Sequence, residues 1–305
     1  MIEISVVIPT HNRKELLEKC LFSLGNQDYD KNGYEIIVVD DGGTDGTEEM
    51  MSELIKTSLV SLIYLRQKHN GQARARNLGV RYAQSSLIAF TDDDCKVDKN
   101  WIGNILDCFN RSHEIDARAG KIAGDPSFGS IQKDGDGFFS DLTSPACPGT
   151  GNFAIRKRVF LEIGGFDERL FCNEDNDLFI RLLKTGHKIY VDDQKELYHK
   201  PIVTIKDIFR RNYEYGSWDP VVFKKNFKDQ FIFKIGDKIL WDVPFFCPIY
   251  INLDLFNSLV TTPFYWLSLE NKSLPQILHA YSSSLGRILG NLVGSIKNRI
   301  LFYGP

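Results

Sequence analysis

The chain has 305 residues, a formal net charge of −3, 43% hydrophobic residues and 25% charged residues. This is the composition of a globular protein with a sizeable core, which excludes collagen-like and disordered chains and gives no reason to expect nucleic-acid binding. Residues 1–199 carry 24 basic and 32 acidic side chains, whereas residues 200–305 carry 13 basic and 8 acidic ones. The change of sign predicts two regions, and the second is expected to contact a different partner.

The cysteine pattern and the N-terminus indicate the compartment. The chain has six cysteines, at 20, 95, 108, 147, 172 and 247. They form no C-x-x-C pair and no zinc-binding pattern, which is typical of reduced thiols in a cytoplasmic protein. The first apolar run stops at Pro9, too early for a signal peptide.

Strands and helices alternate along the first half of the chain. Short β-branched runs predict strands at Ile4–Ile8, Glu35–Asp40, Val60–Leu65 and Leu87–Thr91. Apolar residues at helical spacing predict helices after a capping box at Asn12 and Glu15, over Thr47–Lys56 and over Ala73–Ala83. This alternation predicts an α/β fold with a mostly parallel sheet sandwiched by helices.

The pattern is interrupted between Gly124 and Gly149, where Gly, Asp, Ser and Pro dominate. We expect a long mobile loop there that closes over a site. Further elements are predicted at Thr150–Ile155, Lys157–Ile163, Glu174–Lys184 and Lys188–Val191. The second region begins near His199, and it is predicted to be a helical appendage.

Polar motifs follow three of the predicted strands, where parallel sheets bind their ligands. They are the segments Pro9–Arg13, Asp40–Gly43 and Asp92–Asp94. Three adjacent carboxylates repel one another by about 4 kcal/mol per pair at 4 Å and an effective dielectric of 20, which favours a bound cation. Oxygen ligands select Mg²⁺ or Mn²⁺. The alternative is a solvated acidic turn or a helix N-cap before Lys99–Phe109.

The remaining polar motifs each allow two interpretations. Asp41 either hydrogen-bonds a nucleoside or belongs to a tight turn with Gly42 and Gly43. Arg74 and Arg76 either clamp a diphosphate at a helix N-terminus or are surface charges. Glu174 and Asp175 either abstract a proton or stabilise the helix dipole. No G-x-G-x-x-G and no G-x-x-x-x-G-K-[ST] motif occurs, which argues against dinucleotide oxidoreductases and P-loop nucleotidases.

Six motifs in this order resemble family 2 glycosyltransferases of the GT-A fold. They are IPTHNR, VVDDGGTDGT, GQARARNLG, FTDDDC, GTGNFAIRK and NEDNDLFIRL, and they cover roughly residues 2–200. The resemblance implies a nucleotide-diphosphate sugar donor, a Mn²⁺ or Mg²⁺ cofactor and an acceptor hydroxyl on a carbohydrate or lipid-linked molecule.

The resemblance also implies roles for individual residues. Asp175 would be the catalytic base, with Glu174 as its acidic neighbour. Asp92 and Asp94 would bind the metal together with His199, whose alternative role is to pack on the sheet. The nucleotide sugar would be bound by Pro9, Thr10, Arg13, Asp41, Arg76, Asn77, Asp92 and Asp93. The acceptor side would be lined by Gly151, Asn152 and Asp177.

The reaction implied by the resemblance is the inverting transfer of a single sugar in glycan, polysaccharide or glycolipid assembly. The Q-x-x-R-W motif of processive synthases is absent, which argues against polymerisation. One alternative is a sugar nucleotidylyltransferase, but its Gly-rich phosphate loop is missing. The other is a catalytically silent carbohydrate-binding or assembly subunit of the same fold, against which the intact Asp92, Asp94 and Asp175 argue.

The C-terminal region suggests a second surface. Apolar residues follow helical spacing from Pro275 to Tyr303, and no acidic residue follows Glu270. A basic amphipathic helix with aromatic residues before it is typical of a peripheral anchor, so residues 240–303 are predicted to contact the inner face of the membrane. The alternative is a helical cap or a homodimer interface that buries the same apolar face.

Overall fold

The structure is a computed structural model, and it describes residues 1–123, 149–199, 204–227, 230–235, 238–244, 249–252, 274–298 and 301–303. The chain divides into two compact units, Met1–Lys200 and Pro201–Pro305.

An eight-stranded sheet forms the centre of the first unit. Its strands are β1 (Ile4–Thr10), β2 (Tyr34–Asp40), β3 (Ser61–Arg66), β4 (Leu87–Phe90), β5 (Cys95–Val97), β6 (Ala117–Ala123), β7 (Phe153–Arg156) and β8 (Ile189–His199). They lie in the order β3-β2-β1-β4-β7-β6-β8-β5. The first four are parallel, β7 is antiparallel to both of its neighbours, β6 is parallel to β8, and β5 is antiparallel to β8.

Six helices cover the two faces of this sheet. They are α1 (Lys14–Gly25), α2 (Thr47–Thr57), α3 (Gln72–Tyr82), α4 (Trp101–Arg111), α5 (Lys157–Glu162) and α6 (Glu174–Lys184). One apolar cluster joins α1, α2 and α4 to one face, and a second joins α3, α5 and α6 to the other.

The central strands are apolar on both sides because helices cover both of their faces. Every residue of β1 and β2 is buried, the pattern expected of parallel strands in an α/β sheet. Strand β3 at the edge is only partly buried. Helix α3 lies close to β1, since a Cβ on Gly79 would be 2.4 Å from Val7 Cγ1. This contact holds the C-terminal half of α3 against β1.

The predicted alternation of strands and helices in the first half is confirmed, but three details are wrong. No capping box forms at Asn12, because α1 is capped at Arg13 without a side-chain hydrogen bond. Strands β5 and β6 were not predicted, and β8 extends to His199 rather than ending at Val191. The predicted loop at 124–149 lies outside the described residues except for its last position.

The second unit contains the predicted helical element and also an unpredicted sheet. Its helices are α7 (Ile205–Asn226) and α8 (Leu274–Asn298), and its strands are β9 (Gln230–Ile235), β10 (Lys238–Pro244), β11 (Ile249–Asn252) and β12 (Leu301–Tyr303). The strand order is β10-β9-β11-β12. The helix predicted over 275–303 ends at Asn298. Among the described residues, none of the helices is long and apolar enough to cross a membrane.

Candidate active site

The strand order places three polar motifs at one edge of the sheet. Strands β2 and β4 lie on the two sides of β1, and ligands of open α/β sheets bind beside such a reversal of strand order. Thr10 and Asp40 are paired at the ends of β1 and β2, and the Asp41 N–H donates to the Thr10 carbonyl at 2.8 Å. Asp92 follows β4 at the same edge, so the motifs are brought together as predicted from topology.

Two of the three adjacent aspartates contact Arg13, the residue before α1. Asp93 accepts hydrogen bonds from Thr10 Oγ1 at 2.8 Å and from Arg13 at 3.1 Å. Burial raises the pKa of Asp93 to about 6 in spite of these partners. Asp94 contacts Arg13 at 3.0 Å and His199 Nε2 at 3.3 Å. Burial opposes ionisation of Asp94, but His199 and Arg13 outweigh it and lower its pKa.

Asp92, Asp94 and Cys95 form a group that can hold a cation, because one ligand atom from each lies within 4.8 Å of the others. Of the two carboxylate oxygens of Asp92, Arg76 donates to Oδ1. The Cys95 thiol is buried, and burial raises its pKa, so the ionised ligands at this site are carboxylate oxygens. Such a donor set fits Mg²⁺ or Mn²⁺ better than a softer metal.

Arg76 connects this group to the acidic pair on α6. Its side chain is 2% exposed and donates to Asp92 Oδ1 at 2.7 Å and to Glu174 Oε1 at 2.7 Å. The Phe166 ring lies 5.6 Å from the guanidinium carbon. Arg76 thus joins the end of β4 to the start of α6, two segments that are far apart in sequence.

The acidic pair begins α6 in an unfavourable environment for charge. Asn173 precedes it with φ 60°, a left-handed conformation that Asn adopts more readily than most residues. Burial, and then the neighbouring Asp175, raise the pKa of Glu174 to about 7 although Arg76 opposes the shift. Burial also raises the pKa of Asp175. A carboxylate with a raised pKa accepts a proton near neutral pH more readily than an ordinary aspartate.

The segment before β7 lies between the two groups of carboxylates. A Cβ on Gly151 would be 3.1 Å from Asp92 Oδ2, and a Cβ on Gly149 would be 4.0 Å from Asp175 Oδ2. Gly149 has φ 72°, a conformation that favours glycine. The backbone can therefore pass close to both carboxylates, and Gly151 lies beside the aspartate motif.

Three residues predicted for the site have contacts that give them structural roles. Both polar atoms of the Asn77 side chain bond to the Phe166 backbone at 2.9 Å, so the amide holds the loop that contains Phe166. Asn152 is buried and accepts from Trp101 Nε1 at 2.8 Å. Asp177 is fully buried and pairs with Arg181 at 2.8 Å. Asn152 and Asp177 are therefore held by partners within the protein.

The segment Gln67–Gly71 after β3 also belongs to the site, and it was not predicted. Three of its donors bond to the Asp41 carboxylate: Gln67 Nε2 at 2.7 Å, Asn70 N–H at 2.8 Å and Gly71 N–H at 2.8 Å. His69 Nδ1 lies 3.1 Å from the Asp41 carbonyl oxygen and 2.9 Å from Asp41 Oδ2. The His69 ring also stacks on His11, with centroids 4.2 Å apart. The strand-end rule that identified the other motifs applies equally to β3, because polar residues also follow the end of that strand.

The acidic pair predicts a specific pH dependence of stability. Because the pKa of Glu174 is raised to about 7 in the folded protein, the folded state binds more protons than the unfolded state between about pH 4.3 and this value. This group therefore increases the free energy of unfolding as the pH falls from 8 towards 5. When the pH is lowered from 8 to 6, the contribution of this group should raise the melting temperature of the wild type. The melting temperature of Glu174→Gln should rise less over the same range, as measured by thermal unfolding.

Glu18→Gln provides the control for this measurement, because Glu18 is exposed on α1. It should keep the wild-type dependence on pH. An equal pH dependence in Glu174→Gln and the wild type would contradict the raised pKa.

Comparison with known proteins identifies the class. Residues 5–164 match Glycosyl transferase family 2 and residues 127–219 match a glycosyltransferase-like family 2. The first match covers more than half of the chain, so this protein belongs to glycosyl transferase family 2, as the motifs predicted. The match assigns it to the glycosyltransferases rather than to the nucleotidylyltransferases.

Individual relatives are similar over part of their length. Glycosyltransferase AglE of Haloferax volcanii is 27% identical over 193 residues, which are 61% of this chain and 63% of AglE. The chain therefore spans somewhat less than two thirds of that relative. The GalNAc(5)-diNAcBac-PP-undecaprenol beta-1,3-glucosyltransferase of Campylobacter jejuni is 27% identical over 219 residues, 70% of this chain and 67% of the relative.

A solved structure confirms the predicted GT-A fold. The mannosyltransferase PcManGT of Pyrobaculum calidifontis, in complex with GDP-Man and Mn²⁺, has a TM-score of 0.61 and 15% identity. The similarity covers 96% of this chain and 73% of that one.

Proposed function

We propose that this glycosyltransferase moves a single sugar from a nucleotide-diphosphate donor to an acceptor hydroxyl, with inversion of configuration. The observation that carries the proposal is that the aspartates after β4 and the acidic pair on α6 are connected in two ways. Arg76 joins Asp92 to Glu174, and the Gly149–Gly151 segment lies against both Asp92 and Asp175. A cation-binding group and a proton acceptor thus lie next to each other, which a displacement at the anomeric carbon requires.

The donor is assigned to the edge formed by β1, β2 and β4. Thr10, Arg13, Asp41 and Asp93 surround this edge, and Pro9 belongs to the same strand end. Asp92 and Asp94 would hold Mn²⁺ or Mg²⁺, with His199 beside Asp94. A bound cation would neutralise charge on the departing diphosphate. The Mn²⁺ and GDP-Man bound to the structural neighbour support this assignment.

Arg76 is given a different role from a diphosphate clamp. Its guanidinium is buried and bound to two carboxylates of the protein. We assign it the positioning of Asp92 and Glu174, and the half-exposed Arg13 is the better candidate for contact with phosphate oxygens.

Asp175 is assigned the role of general base. It removes the proton of the acceptor hydroxyl while the oxygen attacks the anomeric carbon from the face opposite the diphosphate. One displacement of this kind inverts the configuration and needs no nucleophile from the protein. Glu174 carries part of the shared negative charge and is held by Arg76.

The acceptor is assigned to the lipid-linked class. The name of the Campylobacter jejuni relative specifies an undecaprenol-linked molecule. Residues 1–199 would contain the donor and acceptor sites, and residues 200–305 would bring the enzyme to the membrane surface where such acceptors are found.

The metal assignment predicts the behaviour of Asp94→Ala. Loss of this carboxylate should weaken donor binding in Mn²⁺ at least about tenfold, since even residues outside the metal's ligand shell cost that much, and it should abolish transfer. Binding of UDP- and GDP-sugars is measured by thermal shift and turnover by release of nucleotide, each with Mn²⁺ and with EDTA.

Asp116→Ala is the matched control, because Asp116 lies at the opposite end of the sheet beside His187. It should keep Mn²⁺-dependent donor binding. Full activity of Asp94→Ala would overturn the metal assignment. Donor binding by the wild type without hydrolysis or transfer of any tested sugar would favour a silent binding subunit.

A further inference from the structure

The helix pair of the second unit, α7 and α8, is packed through glycines. Gly286, Gly290 and Gly294 recur every fourth residue of α8 and therefore share one face. A Cβ on Gly290 would lie 2.2 Å from the Tyr213 carbonyl oxygen, and one on Gly294 would lie 2.4 Å from that of Ser217. The two helix backbones are thus in direct contact, with no apolar side chains between them at these positions.

Polar groups are buried on the same pair of helices. Arg287 on α8 donates two hydrogen bonds of 2.6 Å to Asp219 on α7. Ser282 Oγ donates to the Ile205 carbonyl at 3.1 Å, and Asn291 and Ser295 are buried. The contact between α7 and α8 is therefore built from small and polar residues.

Apolar side chains lie on the outside of α8. Leu289, Leu292 and Ile296 are 38%, 55% and 69% exposed, and their spacings of three and four place them on one face. We call them the α8 apolar face. A helix of a water-soluble protein normally turns its apolar stripe towards the core. An exposed apolar face on a helix with basic residues is instead typical of helices that lie in a membrane interface.

The exposed charges of the helix pair complement an anionic surface. Helix α8 has no acidic residue, and the exposed Lys297 follows Ile296 directly. The exposed basic residues of α7 outnumber its exposed acidic residues, Asp207 and Glu214. The basic ones are Lys206, Arg210, Arg211, Lys224 and Lys225.

We propose that the α8 apolar face inserts into the interface of a membrane that contains anionic lipids. The helix lies in the membrane plane, since neither α7 nor α8 is long and apolar enough to cross it. A second copy of the chain is a poorer occupant of this face, because neither α8 would supply an acidic partner for the other's Lys297. The proposal rests on the proposed function in one respect, namely that the acceptor is linked to a lipid of this membrane.

Vesicle flotation of the full chain tests this proposal. The wild type should float with vesicles of phosphatidylcholine and phosphatidylglycerol, and less with phosphatidylcholine alone or in high salt. The double variant Leu292→Glu, Ile296→Glu should partition at least about tenfold less, because it loses apolar area and gains negative charge. Leu59→Glu is the matched control, since Leu59 is 84% exposed in the first unit. It should float as the wild type does.

Turnover on a water-soluble acceptor separates this proposal from the proposed function. It should be the same in the double variant and the wild type, so loss of flotation with normal turnover supports the membrane contact alone. The proposal is overturned if the wild type stays unbound, or if the double variant floats normally. Light scattering tests the alternative of a dimer interface. The proposal is also overturned if the double substitution converts a dimer to a monomer and leaves flotation unchanged.

Discussion

Asp175→Asn should reduce turnover by roughly 10²–10⁴-fold while donor affinity stays within about twofold of the wild type. The substitution is nearly isosteric but replaces the carboxylate by an amide, which cannot accept the proton. Since the Asn176 N–H bond to Asp175 Oδ1 can also be made to an amide oxygen, the local structure should be retained. The measurements are steady-state kinetics with saturating acceptor and a donor binding isotherm in Mn²⁺.

Asp177→Asn is the matched control, two residues further along the same helix. Asp177 is fully buried and paired with Arg181, so this substitution should lower the melting temperature and leave turnover per folded molecule close to normal. If Asp175→Asn weakens donor binding as much as turnover, Asp175 belongs to the donor site and is not the base.

Arg76→Met should destabilise the protein by about 3–5 kcal/mol, because removing one partner of a buried ion pair leaves an uncompensated charge. Glu174 would lose its cation while remaining buried next to Asp175. Loss of this positive charge should raise the pKa of the acidic pair further, so the acidic limb of the rate profile should move to higher pH. Denaturant unfolding and the pH dependence of turnover measure the two effects.

Arg118→Met is the control. Arg118 is as buried as Arg76, and it also connects two carboxylates, those of Asp192 and Glu196. It should lose similar stability without a shift in the rate profile. Arg76→Lys keeps the charge and should restore most of the wild-type pH dependence, although one ammonium cannot reproduce both guanidinium bonds. An unchanged acidic limb in Arg76→Met would show that Arg76 has only a structural role.

The sequence predicted the elements whose patterns are local. Strands β1 and β2 are largely β-branched runs, and α6 has a helical spacing of apolar residues that is visible without a structure. Strand β5 has three residues, and β6 contains Arg118 and Gly120, so neither has the apolar run that marks a buried strand. Arg118 is buried only because β8 supplies its two carboxylate partners more than 70 residues later.

The candidate site was predictable where topology alone brings residues together. The strand-end rule found Asp41 and Asp92–Asp94 without knowledge of side-chain contacts. It could not assign Asn77 or Asn152 to structural roles, because their partners Phe166 and Trp101 are distant in sequence. The pairing of Asp177 with Arg181 is different, since an i, i+4 pair on a predicted helix can be recognised directly.

The segment Gln67–Gly71 already uses most of the acceptor capacity of Asp41. A carboxylate offers about four lone-pair sites, three donors of this segment bond to Asp41, and His69 Nδ1 lies 2.9 Å from its Oδ2. If Asp41 accepts a hydrogen bond from the donor nucleoside, that bond would compete with these internal ones. Where the nucleoside replaced an internal donor, the exchange would contribute less than the roughly 1 kcal/mol of an additional hydrogen bond. The residence time of the donor would then depend on how readily this segment returns to Asp41.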